Sequence, residues 1–330
     1  MKRYDVYSIG HALVDMEVEV EDAFLSEAAL EKGTMALVEA ARQNELIQRL
    51  HGLEHKRSCG GSAANTTIAV AQFGGRSFFS CKVADDESGH FFAHDLTQTG
   101  VANNQALMKG DGATGHCLVL ISDDAERTMC THLGTSETVG PEQLDEEAIK
   151  QAEWVYVEGY LVTSPTARAA AVQAANLARR HGAKVALTFS DPNMVKYFRD
   201  GLDEIIGPGL DLLFCNESEA LTYAGGNDIQ QAMEALKGRS KAVCITQGSR
   251  GAAVWDGNRQ IEVVGNVVDA VDTNGAGDLF AGTFLYGITN GLTYGRAGRL
   301  ACYASSVLVT QFGARLAPEQ APAILERALK

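Results

Sequence analysis

The chain has 330 residues, 45% of them hydrophobic and 21% charged, an ordinary globular composition that can bury a substantial core without disulfide or metal staples. Its 28 basic and 42 acidic residues leave a net charge of −14, which opposes binding to nucleic-acid polymers and to anionic membrane surfaces. Seven cysteines (Cys59, Cys81, Cys117, Cys130, Cys215, Cys244, Cys302) are scattered, odd in number and free of any C-x-x-C pair, so buried thiols in a reducing cytoplasm are expected rather than a disulfide framework or a zinc site.

At the start, residues 4–10 are too short and polar for a signal peptide, and no apolar run in the chain reaches the length of about eighteen that a membrane helix needs. Residues 13–20 alternate strictly, with Val14, Met16, Val18 and Val20 on one face and Asp15, Glu17 and Glu19 on the other, which predicts a half-exposed strand. Gly60-Gly61-Ser62-Ala63-Ala64-Asn65 leads into a small-residue helical run at 66–73. Its glycines allow close backbone approach, and Ser62 and Asn65 offer polar contacts to a polyol or ribose; a tight turn with an N-cap fits the same residues. Strand-like runs at 114–121 and 127–133 flank the turn Ser122-Asp123-Asp124-Ala125-Glu126, and a small β lid is the expected result. Arg127, at the edge of that lid, is a candidate for neutralising phosphate charge or simply a solvated arginine.

From about residue 150 the pattern changes to alternating strands and helices: 154–157, 167–180, 185–189, 211–215, 228–236 and 242–246. This predicts a parallel sheet covered by helices. Two strand ends carry polar motifs where open α/β sheets bind ligands. Asn216-Glu217-Ser218-Glu219 puts Glu219 near a nucleotide-bound magnesium ion through water, or forms a capping box. Thr246-Gln247-Gly248-Ser249-Arg250-Gly251 is a ligand loop or a simple turn.

A strand-like stretch at 261–271 then runs into Asp272-Thr273-Asn274-Gly275-Ala276-Gly277-Asp278 and a helix at 279–288, where Phe280, Phe284 and Ile288 recur every fourth residue. A glycine turn opening a helix directs unpaired N–H groups and the positive dipole end at one point, an anion site. A carboxylate beside such a site repels an anion unless it has a task, and general base toward an attacking hydroxyl is that task. Alternatively Asp278 complements the helix dipole and the glycines only cap. There is no G-x-x-x-x-G-K-[ST], no G-x-G-x-x-G after the first strand and no histidine pair at metal-ligand spacing.

The order of these motifs resembles the ribokinase-like (PfkB) family of carbohydrate and nucleoside kinases, in particular its adenosine kinase branch. The landmarks span almost the whole chain: Gly10-His11-Ala12-Leu13-Val14-Asp15, the motif at 60–65, Thr114-Gly115, Gly159-Tyr160-Leu161, Asn216 to Glu219, Thr246-Gln247-Gly248 and Asp272 to Asp278. The resemblance implies a three-layer α/β/α domain with a mainly parallel central sheet, and a small β-sheet lid at approximately 12–59 and 104–136 inserted into a single domain covering 1–330. It implies ATP as phosphoryl donor, magnesium, and often activation by potassium, for which Asp272 is the candidate ligand.

Carried over by position, Asp278 is the base, Gly275, Ala276 and Gly277 form the anion hole, and Arg127 matches a lid arginine that approaches the phosphates. Asp15, Gly61, Ser62 and Asn65 match ribose-binding positions, with Leu37, Leu133 and Tyr160 or Leu161 against the acceptor base. Asn216, Glu219, Thr246, Gly248 and Gly251 match the nucleotide and magnesium side, with Ala301, Cys302 and Ser305 near the ATP adenine. His11 stands where many relatives have asparagine beside the acceptor, and Met35 where the animal adenosine kinases have glutamine. The expected partner is a small nucleoside, adenosine first, or a sugar such as ribose or fructose, bound by a monomer or homodimer. A non-catalytic ligand-binding protein of the same fold is the alternative from another class.

Overall fold

The computed structural model describes residues 2–53, 56–124 and 126–328. In chain order its strands are β1 (Tyr4–Ile9), β2 (Leu13–Glu19), β3 (Met35–Leu37), β4 (Lys56–Gly60), β5 (Ser77–Ser80), β6 (Val83–Ala84), β7 (Lys109–Gly110), β8 (Thr114–Ile121), β9 (Arg127–Gly134), β10 (Ala152–Glu158), β11 (Lys184–Thr188), β12 (Leu212–Asn216), β13 (Val243–Thr246), β14 (Gly251–Trp255) and β15 (Gln260–Val264). The large sheet has the order β15-β14-β13-β12-β11-β10-β1-β5. It is parallel from β5 to β13 and antiparallel only at the β13-β14-β15 end.

Strands such as β10 and β12 are buried along almost their full length, as parallel strands covered on both faces must be. On one face the helix Pro165–Arg180 lays down Ala167, Ala170, Ala171, Ala174 and Ala178, small residues that let it sit close to the strands. On the other face lie the helices Ser62–Gln72 and Ala276–Thr289. These two helices touch at Gly282, where a Cβ would fall 2.4 Å from the Thr66 carbonyl oxygen. That close crossing, which only glycine allows, brings the two motif-bearing helix starts side by side.

The second sheet, of order β3-β9-β8-β2-β4, combines parallel β2/β8 and β3/β9 pairs with antiparallel β2/β4 and β8/β9 pairs. One face packs on the helices Asp22–Glu27 and Ala40–Arg49 through Val18, Val20, Leu25, Leu46, Leu118 and Leu120. Its other face overhangs the C-terminal ends of the large sheet's parallel strands, and it is called the lid below for that position. No helix among the described residues is long and apolar enough to cross a membrane.

Two expectations need correction. The face of β2 bearing Asp15 and Glu17 is not turned to open solvent: Asp15 is buried, because that face looks across the cleft at the large domain. The strand expected at 261–271 ends at Val264, and residues 265–270 form an extended, exposed segment. Gly265 N–H still bonds the Arg250 carbonyl in register with β14, but further on Val271 and Asp272 N–H bond the Val309 carbonyl at the end of a helix instead of a strand.

Candidate active site

Between lid and large sheet lies a cleft of about 350 Å³, within the size range of small-molecule sites. Its floor is the start of the helix Ala276–Thr289. Gly275 precedes that helix in the left-handed conformation, φ 71°, and a Cβ there would fall 2.7 Å from the Ala314 Cβ. Glycine is thus required twice, by the backbone and by the close packing. No side chain caps this helix end; Ala276 N–H turns back to the Thr273 carbonyl at 3.3 Å, and the N–H groups of Gly277 and Asp278 are left for a ligand.

Asp278 lies in that first turn but reaches away from its own helix. Its Oδ1 accepts from Ser62 Oγ at 2.7 Å and its Oδ2 from Asn65 Nδ2 at 3.1 Å. Burial pushes its carboxyl up to about 6, and these two donors pull in the opposite direction. Ser62 and Asn65 are therefore part of one cluster with Asp278 and do not merely cap a turn. Gly61 sits at φ 98°, where a Cβ would meet the His11 carbonyl oxygen at 2.2 Å.

Asp15 faces the cleft from β2. Burial pushes it up to about 7, with the Arg315 charge opposing. The carboxylate has room because Gly60 lacks a side chain; a Cβ there would lie 1.9 Å from Asp15 Oδ1. His11 lines the same cleft, with Nδ1 3.1 Å from both the carbonyl oxygen and Oγ of Ser136. Burial lowers it to about 4, so the ring is neutral at physiological pH, and its buried Nε2 has no hydrogen-bond partner. Leu13, Cys117, Val119, Met129 and Leu133 make an apolar, sulfur-containing wall on the lid, with Met35 and the exposed Leu37 at its rim. Tyr160 lines the cleft, whereas Leu161 is buried in the core.

On the far side Asn216, Glu219 and Thr246 line the cleft. Asn216 and Glu219 form the capping box in full: Asn216 Oδ1 accepts from Glu219 N at 2.8 Å, and Glu219 Oε2 accepts from Asn216 N at 3.0 Å. Burial pushes Glu219 up to about 7. The remaining expected positions stand outside the lining. Gly248 is in a turn at φ 59°, and Gly251 opens β14 where a Cβ would strike the Val263 carbonyl. Ala301 and Cys302 are core residues, while Ser305 Oγ donates to the Ala276 carbonyl at 3.0 Å.

Arg127 also lies outside the lining, although it is almost buried. Its Nε is 2.5 Å from Asp272 Oδ1 and its Nη1 3.3 Å from Glu17 Oε1. The approach to Asp272 is off the N–H axis, so Nε and Nη2 lack hydrogen-bond partners. It is neither solvated nor free to reach a phosphate in this arrangement. Asp272 is further engaged by Asn274 N at 2.9 Å and Gly313 N at 2.7 Å.

Two residues of the site have no counterpart in the motif reading. Glu158, 1% exposed at the end of β10, accepts from His11 N at 2.6 Å and Ala63 N at 2.8 Å, clamping two cleft-lining segments together. Burial pushes it up to about 8. Arg315 reaches Asn65 and the lid from a C-terminal loop. Alternation in the runs at 114–121 and 127–133 carries a signal for the apolar wall, but nothing local marks Glu158 or Arg315.

The model of the pfkB family of carbohydrate kinases matches residues 35–321. The chain belongs to this family. Adenosine kinase from Saccharomyces cerevisiae is 28% identical over 305 residues, covering 86% of this chain and 88% of that protein. Among solved structures, adenosine kinase from Sinorhizobium meliloti matches with TM-score 0.91 and 35% identity over 98% of this chain and 99% of that one. A "probable sugar kinase protein" from Rhizobium etli CFN 42 matches with TM-score 0.93 and 33% identity over 100% of both chains. The ribokinase-like fold is therefore established, and with it the class of enzyme: an ATP-dependent kinase whose acceptor is a hydroxyl group of a small molecule.

Proposed function

We propose that this pfkB kinase transfers the γ-phosphoryl group of ATP to the 5′-hydroxyl of a nucleoside, adenosine first. The observation that carries the reading is the pairing of a polar floor with an apolar wall: Ser62, Asn65 and Asp278 on one side of the cleft and Cys117, Val119, Met129 and Leu133 on the other. A nucleoside has the same two halves, hydroxyls for the floor and an aromatic base for the wall. A free ribose or fructose leaves the wall without a partner, although likeness to a sugar kinase keeps that acceptor class as the second reading.

Asp15 accepts hydrogen bonds from the ribose hydroxyls, and Asp278 takes the 5′-hydroxyl proton as that oxygen bonds to the γ-phosphorus and the bond to the β-γ bridging oxygen of ATP breaks. The proton ends on Asp278 and the electron pair leaves with ADP. Because a carboxylate is a weak base toward an alcohol, the proton moves late, in a loose transition state. The N–H groups of Gly277 and Asp278 hold the transferred group's charge. The lid closes over the pair to keep water from the phosphoryl group.

A magnesium ion arriving with ATP would supply charge to offset its phosphates. Glu219, whose carboxylate accepts from Asn216 N and Nδ2 at the cleft, would hold such an ion through water. Asp272, the candidate potassium ligand, has its oxygens against Arg127, Asn274 and Gly313. Its seven free, buried thiols favour a cytoplasmic location.

The test is ADP release from Mg-ATP with adenosine, inosine, guanosine, cytidine, ribose and fructose supplied separately, with Asp278→Asn as control. Selective turnover with adenosine supports the reading, and turnover only with a sugar sinks it. Asp278→Asn should lose about a hundredfold or more in kcat while ATP binding is retained; a loss below about tenfold removes the general-base role.

A further inference from the structure

We infer that Arg315 is a positioning residue for the Asp278 carboxylate, acting through the side-chain amide of Asn65. The inference rests on the reading of Asp278 as the base. Arg315 lies in the loop between the helices Tyr294–Leu308 and Gln320–Ala328, with its side chain 16% exposed. Its guanidinium meets three partners on three elements. Nη1 pairs with Asp95 Oδ2 at 2.8 Å on the helix Glu87–Gln98, Nη2 donates to the Cys59 carbonyl on lid strand β4, and Nε lies 3.5 Å from Asn65 Oδ1 on the helix Ser62–Gln72.

The chemistry of the groups gives this chain a direction. A guanidinium has only donors, and an ionised carboxylate only acceptors. An amide standing between them has one orientation that satisfies both: Oδ1 toward Arg315 and Nδ2 toward Asp278 Oδ2, at 3.1 Å. The flipped amide sets oxygen against carboxylate and NH₂ against guanidinium, unfavourable at both ends. Without Arg315, Asn65 loses the partner that selects its orientation, and Asp278 loses one of its two positioned donors.

Arg315 is tied to the floor a second way. Its neighbours back the catalytic loop: Gly313 N donates to Asp272 Oδ2 at 2.7 Å, and Ala314 packs against Gly275. The same side chain holds the lid through Cys59, whose own N–H donates to Asp95 at 3.2 Å. One residue thus links the lid's β4 strand to the amide that orients the proposed base.

The experiment is a double-mutant cycle on the full chain, using the acceptor that turns over in the panel above, with kcat, KM for ATP and thermal midpoint measured for Arg315→Met, Asn65→Ala and the double variant. Arg315→Met should lower kcat about tenfold, the effect of one misplaced charge-assisted donor, and leave KM for ATP within about twofold. In the Asn65→Ala background the same substitution should cost less than about twofold more, because its route to Asp278 is gone. Equal losses in both backgrounds, or an unchanged kcat in Arg315→Met, overturn the inference. Should Arg315→Met fail to fold, Arg315→Lys keeps the charge against Asp95 but cannot reach all three partners, and the cycle run with it has the same two outcomes. Asp278→Asn is assayed alongside: full turnover there removes the base itself, while its loss together with an additive cycle removes only the role of Arg315.

Discussion

Replacing Glu158 by glutamine should remove a pH-dependent contribution to stability at one identifiable point of the fold. The carboxyl is 1% exposed and both its oxygens accept backbone N–H groups, from His11 at 2.6 Å and Ala63 at 2.8 Å. Burial raises it from 4.5 to about 8 against the pull of those two bonds. Between these values the folded protein holds a proton that the unfolded chain has released, so stability falls as pH rises through the interval, and the penalty is complete above about 8. At about 1.4 kcal/mol per pH unit the interval amounts to something on the order of 5 kcal/mol, a large share of the roughly 5–15 kcal/mol that holds a typical domain together. Glutamine does not ionise, but its NH₂ cannot accept the second N–H, which should cost about 1–3 kcal/mol near pH 5. Urea unfolding of parent and Glu158→Gln at pH 5 and pH 9 separates the two effects. The variant should be the weaker protein at pH 5 and equal or stronger at pH 9. Asp15, Glu219 and Asp278 also titrate upward, but they contribute to both proteins and cancel in the difference. A difference between parent and variant that stays constant within about 0.5 kcal/mol over this range would refute the argument that burial governs Glu158.

Two further outcomes follow from the cleft. In Gly60→Ala the new Cβ overlaps the Asp15 carboxylate, 1.9 Å from its Oδ1, so the acid must swing out of the acceptor site; KM for the acceptor should rise about tenfold or more with KM for ATP unchanged, and parallel changes in both would point to general loosening instead. The acid limb of kcat/KM should fall as Asp278, at about 6, and Asp15, at about 7, take up protons, because the base must be ionised to work and Asp15 must accept hydrogen bonds; a profile flat from pH 5 to 8 in steady-state assays would contradict both roles.

How much of this was legible in the sequence depends on the range of the interactions involved. The parallel strands could be read because each is an apolar run with its own turn signals: 154–157 lies inside Ala152–Glu158, and 211–215 overlaps Leu212–Asn216. The run at 261–271 has the same valines, but beyond Gly265 the backbone finds no strand partner and Val271 and Asp272 bond the Val309 carbonyl instead, a change of partner that leaves no local mark. Asp15 shows the same limit. Alternation put it correctly on one face with Glu17, yet whether that face meets water or the large domain is decided by how the lid is hung. The cluster at Asp278 was partly readable, since glycine turns before helices have local signatures. Its wider support was not: Asn65 and Arg315 are 250 residues apart, and nothing in either neighbourhood foretells their contact.

The cleft holds four acids with raised pKa values, and burial has not raised them equally. Glu158 titrates near about 8, Asp15 and Glu219 near about 7, and Asp278 near about 6. Desolvation is the first cause in all four, and at Asp278 the donors Ser62 and Asn65 oppose it. The shared upward direction matters in a chain of net charge −14, because the cleft then carries less negative charge toward an incoming nucleotide than its acid count suggests. Environments that push like groups apart are how one site assigns different tasks to the same functional group. Here the difference lies in the donors: Asp278 alone among the four accepts from two side chains of a neighbouring helix, Ser62 and Asn65, beside the uncapped helix start.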